Sequence, residues 1–143
     1  MAIVAAIDQD EKAQQVMSEA WKLANQFDEP LHALFVYDNK QFSSLTTENI
    51  TIEGRHRPDD EEIQTVATDL AAKAAAGVTD EYEAVGRRGT PGEEIVAYAD
   101  EMDASYIVVG GRRRSPAGKA LFGSVTQSVL LDTDRPVLVA TAE

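Results

Sequence analysis

A short apolar run that does not alternate with polar residues needs protein on both of its sides. Ile3-Val4-Ala5-Ala6-Ile7 is such a run, and a parallel sheet sandwiched between helices covers a strand in that way. The period then changes. Ala13, Val16, Met17, Ala20, Ala24 and Phe27 recur at steps of three and four, which is one face of a helix from Glu11 to about Phe27. Strand-like runs return at Leu31–Tyr37, Tyr82–Val85, Ser105–Val109 and Val137–Thr141, with polar or helix-periodic chain between them. This alternation predicts βαβ units with right-handed crossovers, hence an α/β fold with a five-stranded parallel sheet and helices on both faces. At 143 residues, 43% of them hydrophobic, one core is expected, and the chain reads as a single domain over 1–143.

Local signals place the boundaries. Asp28-Glu29-Pro30 ends the first helix, and Trp21 beside its apolar stripe reads as core packing. Acids at 59–62 open a second helix to Ala76, with Gly77 past its end and Ile63, Val66, Ala67, Leu70, Ala71 and Ala74 turned inward. Gly86-Arg87-Arg88-Gly89 reads as a turn. Thr90-x-x-Glu93 with Pro91 is a capping box opening a third helix to about Asp100, and a fourth runs from Ser124 to Leu131. The polar stretch from Asn39 to Asp60 has no sustained period and reads as a flexible connection.

The chemistry concentrates between Ser105 and Val129. An apolar strand meets Gly110-Gly111, then Arg112-Arg113-Arg114, then Gly123-Ser124 at a helix start. Glycines let backbone amides approach an anion, and a helix N-terminus offers unpaired N–H groups with a favourable dipole. The arginines read either as a solvated loop or as phosphate ligands, each charge-assisted hydrogen bond then contributing roughly 1.5–3 kcal/mol. Asp8 ends the first strand at the sheet edge where α/β folds bind ligands; it reads either as a carboxylate facing a ligand or metal, or as a helix cap. Other motifs fail: Gly118-Lys119 ends like a P-loop, but Ala120 carries no hydroxyl and Arg113 stands at the first glycine. There is no G-x-S-x-G elbow and no His/Cys metal cluster. His32 reads as structural, and His56 receives no role.

The spacing Gly110-x2-Arg113-x9-Gly123-Ser124 resembles the G-x2-G-x9-G-[ST] nucleotide signature of the universal stress protein family, with arginine at the second glycine. Ile3 to Asp8, Leu31 to Asp38, Gly89-Thr90-Pro91 with Glu93-Glu94-Ile95-Val96, and Arg135-Pro136-Val137-Leu138-Val139 are similar to the family in its order. The resemblance implies strand order 3-2-1-4-5, a Rossmann-like sheet of the adenine nucleotide α hydrolase-like kind. It implies ATP or AMP with its base at the backbone of Val36, its ribose near Val109 and Gly110, and its phosphates over Arg112, Arg113, Gly123, Ser124 and Val125. Asp8 would face the ligand or a Mg2+ ion accompanying ATP, and the 39–60 segment would cover it. Arg113 either binds phosphate or obstructs it. The implied role is a stress-response protein that holds nucleotide as a signal, with slow ATP hydrolysis left open. A dimeric adaptor of the same fold is the alternative; a phospho-acceptor at Asp8 lacks the partner acids such chemistry needs. A homodimer through the edge strand Val137–Thr141 is expected.

Charge narrows the partners. A net charge of -12 opposes attraction to nucleic-acid phosphates and anionic membranes, so neither is expected. It suits high intracellular salt, where charge is screened over about 3 Å at 1 M, so a salt-loving source is expected. No basic-then-apolar leader precedes the first strand and there are no cysteines; a cytoplasmic location follows as the expectation.

Overall fold

The structure, a computed structural model, describes residues 1–7, 13–42, 59–111 and 123–141. In chain order the elements are β1 (Ala2–Ile7), α1 (Ala13–Phe27), β2 (Leu31–Tyr37), α2 (Asp60–Ala76), β3 (Glu83–Arg88), α3 (Pro91–Glu101), β4 (Ala104–Gly111), α4 (Ser124–Asp132) and β5 (Val137–Thr141). The strands form one parallel sheet in the order β3-β2-β1-β4-β5.

Successive strand residues point to opposite faces, and here both faces are dry. Ile3, Ala5, Ile7, Leu31, Ala33 and Phe35 pack with α1 and α2, whereas Val4, Leu34, Val36, Ile107 and Val109 pack with α3 and α4. That two-sided burial is why β1 shows no alternation of apolar and polar residues. In α1 the buried residues are Val16, Met17, Ala20 and Ala24, and Trp21 is partly buried against the same core. Phe27 departs from the expected stripe: it is half exposed and stacks on Tyr106, ring centroids 5.9 Å apart.

Several boundaries differ from the sequence reading, each for a physical reason. Gly86, Arg87 and Arg88 continue β3 instead of turning, pairing with Phe35, Val36 and Tyr37. Gly86 is there for close approach. A Cβ on it would sit 2.7 Å from the Ala67 Cβ and the Thr68 backbone nitrogen and 2.8 Å from the Gln64 carbonyl oxygen, and α2 uses that proximity: the Gly86 N–H donates to Thr68 Oγ1 (3.0 Å) and Gln64 Nε2 donates to the Gly86 carbonyl (3.1 Å). Gly110 and Gly111 likewise extend β4, opposite Ala140 and Thr141. Thr90 stands at the N-cap of α3 with Pro91 in the first turn, yet its side chain makes no capping bond; the expected box is not closed. Asp59 does cap α2, accepting from the Glu62 N–H at 2.9 Å, and Gly77 ends that helix in a right-handed conformation. Residues 39–42, expected to be irregular, are helical. There Asp38 and Gln41 bond reciprocally, the Gln41 N–H to Asp38 Oδ1 (2.8 Å) and the Asp38 N–H to Gln41 Oε1 (3.1 Å).

Candidate functional site

The sheet splits at its carboxyl edge between β1 and β4. The β1–β4 ladder stops at Ala5↔Val108, while β1 continues beside β2 to Ile7↔Phe35 and β4 continues beside β5 to Gly111↔Thr141. The two central strands therefore part over their last residues. This is also where the chain order reverses, the position at which open α/β sheets form a ligand crevice.

Three described pieces border the split. From β4, Val109 is buried in the α3/α4 core, whereas Gly110 faces α1, where an added Cβ would lie 3.3 Å from Val16 Cγ2. From α4 comes a latch absent from the sequence reading: Thr126 Oγ1 donates to the Gly110 carbonyl at 2.7 Å, and Thr126 is buried. That bond ties the strand end to the first turn of the helix. Thr126 and Val129 are the two buried residues of α4, three apart on one face, a burial that only the folded chain reveals. From β2, Val36 buries its side chain among α3 and α4. The Tyr37 carbonyl accepts from the Gly89 N–H at 2.9 Å, so Tyr37 bonds toward β3, and alternation along the strand turns Val36's own backbone groups toward β1. Val36 lies one residue past the last β1–β2 pair.

The helix start fits an anion. Gly123 occupies the N-cap of α4 in extended conformation without a side-chain capping bond, and the first intrahelical bond runs from the Gln127 N–H to the Gly123 carbonyl. The amides of Ser124, Val125 and Thr126 thus precede the helical ladder, and Ser124 and Val125 are exposed. Asp8, Arg112 and Arg113 lie outside the described residues. Among the described residues no cluster of three His, Cys, Asp or Glu could hold a metal ion, and no helix is long and apolar enough to cross a membrane.

One strand pair away, at the carboxyl ends of β2 and β3, an open cleft of about 480 Å3 is lined by Tyr37, Asp60, Glu61, Gln64, Arg87, Arg88 and Glu94. Its cations are engaged: Arg87 bonds Glu101 at 2.6 Å and stacks over Tyr98, while Arg88 pairs with Asp60 and Asn39. His32 sits away from this edge, near the start of β2, sharing a 2.6 Å hydrogen bond with the Tyr98 hydroxyl. That is the structural role expected of it.

The chain as a whole is similar to known proteins. The model of the universal stress protein family matches residues 1–141. Over 139 residues the chain is 26% identical to universal stress protein MJ0531 of Methanocaldococcus jannaschii, a match covering 96% of this chain and 79% of that one. A 46-residue stretch is 48% identical to a universal stress protein of Mycolicibacterium smegmatis but spans only 35% of that relative's length. Among solved structures, a universal stress protein of Archaeoglobus fulgidus superposes with a TM-score of 0.65 at 27% identity, covering 97% of each chain. Another from that organism, in complex with dAMP, gives 0.61 at 25% identity, covering 97% of this chain and 96% of the other. With the family model spanning nearly its whole length and the sheet order in agreement, the chain belongs to the universal stress protein family.

Proposed function

We propose that this protein binds an adenine nucleotide, ATP or AMP, in the crevice between β1 and β4 and holds it as a signal in a stress response. The observation that carries this reading is the parting of β1 from β4 beyond Ala5 and Val108, with the uncapped start of α4 latched to Gly110 at its rim. The base would meet the backbone of Val36, the ribose Val109 and Gly110, and the phosphates the amides at Gly123, Ser124 and Val125 together with Arg112 and Arg113. The amides preceding the α4 ladder suit a phosphate, and the solved relative in complex with dAMP supports an adenine ligand. Asp8 would face the ribose or a Mg2+ ion carried in with ATP. The protein would act as a single domain over 1–143, as a homodimer in a salt-rich cytoplasm. A dimeric adaptor of the same fold remains the competing reading, favoured by the apolar surface of Leu130 and Leu131.

Mass spectrometry of the purified, denatured protein for adenine nucleotide separates the two. Titration calorimetry then tests Arg113. As a phosphate ligand, its replacement in Arg113→Ala weakens ATP binding about ten- to a hundredfold, the size of one lost charged hydrogen bond. As an obstruction, its removal in Arg113→Gly tightens ATP and leaves AMP nearly unchanged. Neither nucleotide binding the unmodified protein would end the reading.

A further inference from the structure

We propose that Arg88 is a positioning residue for the nucleotide site, acting through the end of β2 and not by touching the ligand. The inference rests on the nucleotide reading above. Arg88 is the last residue of β3 and the register partner of Tyr37. Its guanidinium gathers three separate points of the chain: it donates through Nη1 to Asp60 Oδ1, donates through Nη2 to Asn39 Oδ1 at 2.8 Å, and stacks over the Phe42 ring with its central carbon 4.0 Å from the centroid.

Those points lie on two segments far apart in sequence. Asn39 and Phe42 belong to the helical turn that leaves β2, and Asp60 opens α2, so both segments meet at the same side chain. Phe42 in turn stacks on Tyr37, centroids 6.4 Å apart, and Tyr37 is 2% exposed. The Phe42 N–H also donates to the Asp38 carbonyl at 2.8 Å. Strand end, departing turn and returning helix therefore share one cation. A lysine reproduces the charge on Asp60, but it lacks the planar fork that also reaches Asn39 and the flat face that covers Phe42.

The consequence concerns Val36. Its N–H is still met by β1 at the last pair, Ile7↔Phe35, but its carbonyl lies past that ladder, so the carbonyl's direction depends on what holds Tyr37 immediately after it. That hold comes from β3: the Gly89 N–H on the Tyr37 carbonyl, and Arg88 through Phe42. An exposed ion pair alone contributes little, so the effect of Arg88 lies in joining the three contacts and is moderate in size.

The experiment compares the full chain with Arg88→Met and Arg88→Lys by calorimetry with ATP, AMP and GTP, by amide hydrogen exchange, and by thermal unfolding. Arg88→Met should weaken ATP and AMP alike by about three- to tenfold and narrow the preference for ATP over GTP. The Gln41 and Phe42 amides should exchange about tenfold faster, with Arg88→Lys intermediate throughout. A loss confined to ATP would make Arg88 a phosphate contact and overturn the proposal. So would unchanged exchange at Gln41 and Phe42, or faster exchange with unchanged affinity. If the unmodified protein binds neither ATP nor AMP, the nucleotide reading fails and this inference with it, an outcome recognisable because the exchange change would persist.

Discussion

His32 is a residue whose charge and fold oppose each other. Its Nδ1 shares the 2.6 Å hydrogen bond with Tyr98, the two rings 5.8 Å apart. Burial lowers its pKa below the ordinary 6.5, with Glu83 on the neighbouring strand pulling partly the other way and the chain's amino terminus adding to the lowering. Burial also raises the pKa of Tyr98, keeping that hydroxyl protonated, with Arg87 stacked over its ring. Below pH 6.5 the unfolded chain takes up a proton that the folded chain still refuses, so stability falls as pH drops from 6.5 to the lower folded value and then levels off. Above 6.5 the residue contributes no pH dependence. Thermal midpoints between pH 7 and pH 5 should therefore decline more steeply for the natural protein than for His32→Gln; parallel curves would show that the folded pKa is not depressed. The sequence made the structural role of His32 legible, since a lone histidine in an apolar strand has nothing to ligate with. It could not reveal Tyr98, which lies 66 residues away and meets His32 only across the packed α3 face.

At the scale of elements, period and caps carried most of the information. β1, β2, β5 and the helices announce themselves because burial on two faces leaves unbroken apolar runs in strands and stripes in helices. The misread strand ends are at glycines. Gly86 and Gly110-Gly111 look like breaks because a missing side chain is the same signal whether the backbone must turn or another backbone must come close. The second reason holds at Gly86, against the backbone of α2, whereas at Gly110 the neighbour is the Val16 side chain of α1, 3.3 Å from an added Cβ; in both cases the partner lies elsewhere in the chain. The candidate site was legible to the same depth. Strand-end glycine and helix-start Gly-Ser are local features and Val36 enters only through the family resemblance, whereas the Thr126 latch and the Arg88 knot join distant segments and leave no spacing to read. Gly86→Ala tests the close-approach account. Its new Cβ meets backbone atoms of α2, which cannot rotate away as a side chain could, so a loss of about 1–3 kcal/mol is expected from denaturant unfolding. No loss, or the gain of about 0.5–1 kcal/mol that replacing glycine by alanine ordinarily brings in a strand, would mean that α2 can give way.

On the scale of the whole molecule, net charge and the open sheet edge act against each other. β5 is the last strand of the sheet, and Val137, Leu138 and Val139 along it are only partly buried. The helix before it in the chain, α4, exposes Leu130 (41%) and Leu131 (84%). An unpaired apolar edge of this kind invites a second copy, and antiparallel pairing of β5 with its equivalent satisfies two-fold symmetry. Yet each copy carries -12 charges, and bringing two together concentrates that repulsion. Salt decides which wins, because charges are felt over about 10 Å at 0.1 M but only about 3 Å at 1 M. The fold itself should respond in the same sense, with a thermal midpoint that drops as salt is removed below about 0.1 M. The dimer should respond more strongly, since its interface adds intermolecular repulsion to the repulsion within each chain. Sedimentation equilibrium at tens of micromolar is therefore expected to show association strengthening from 0.1 M to 1 M salt. Val139→Pro removes a backbone donor from β5 and should leave a monomer at every salt concentration. A monomeric natural protein at 1 M salt would sink the edge-pairing account, and a Val139→Pro dimer would move the interface from the β5 edge to the exposed leucines of α4.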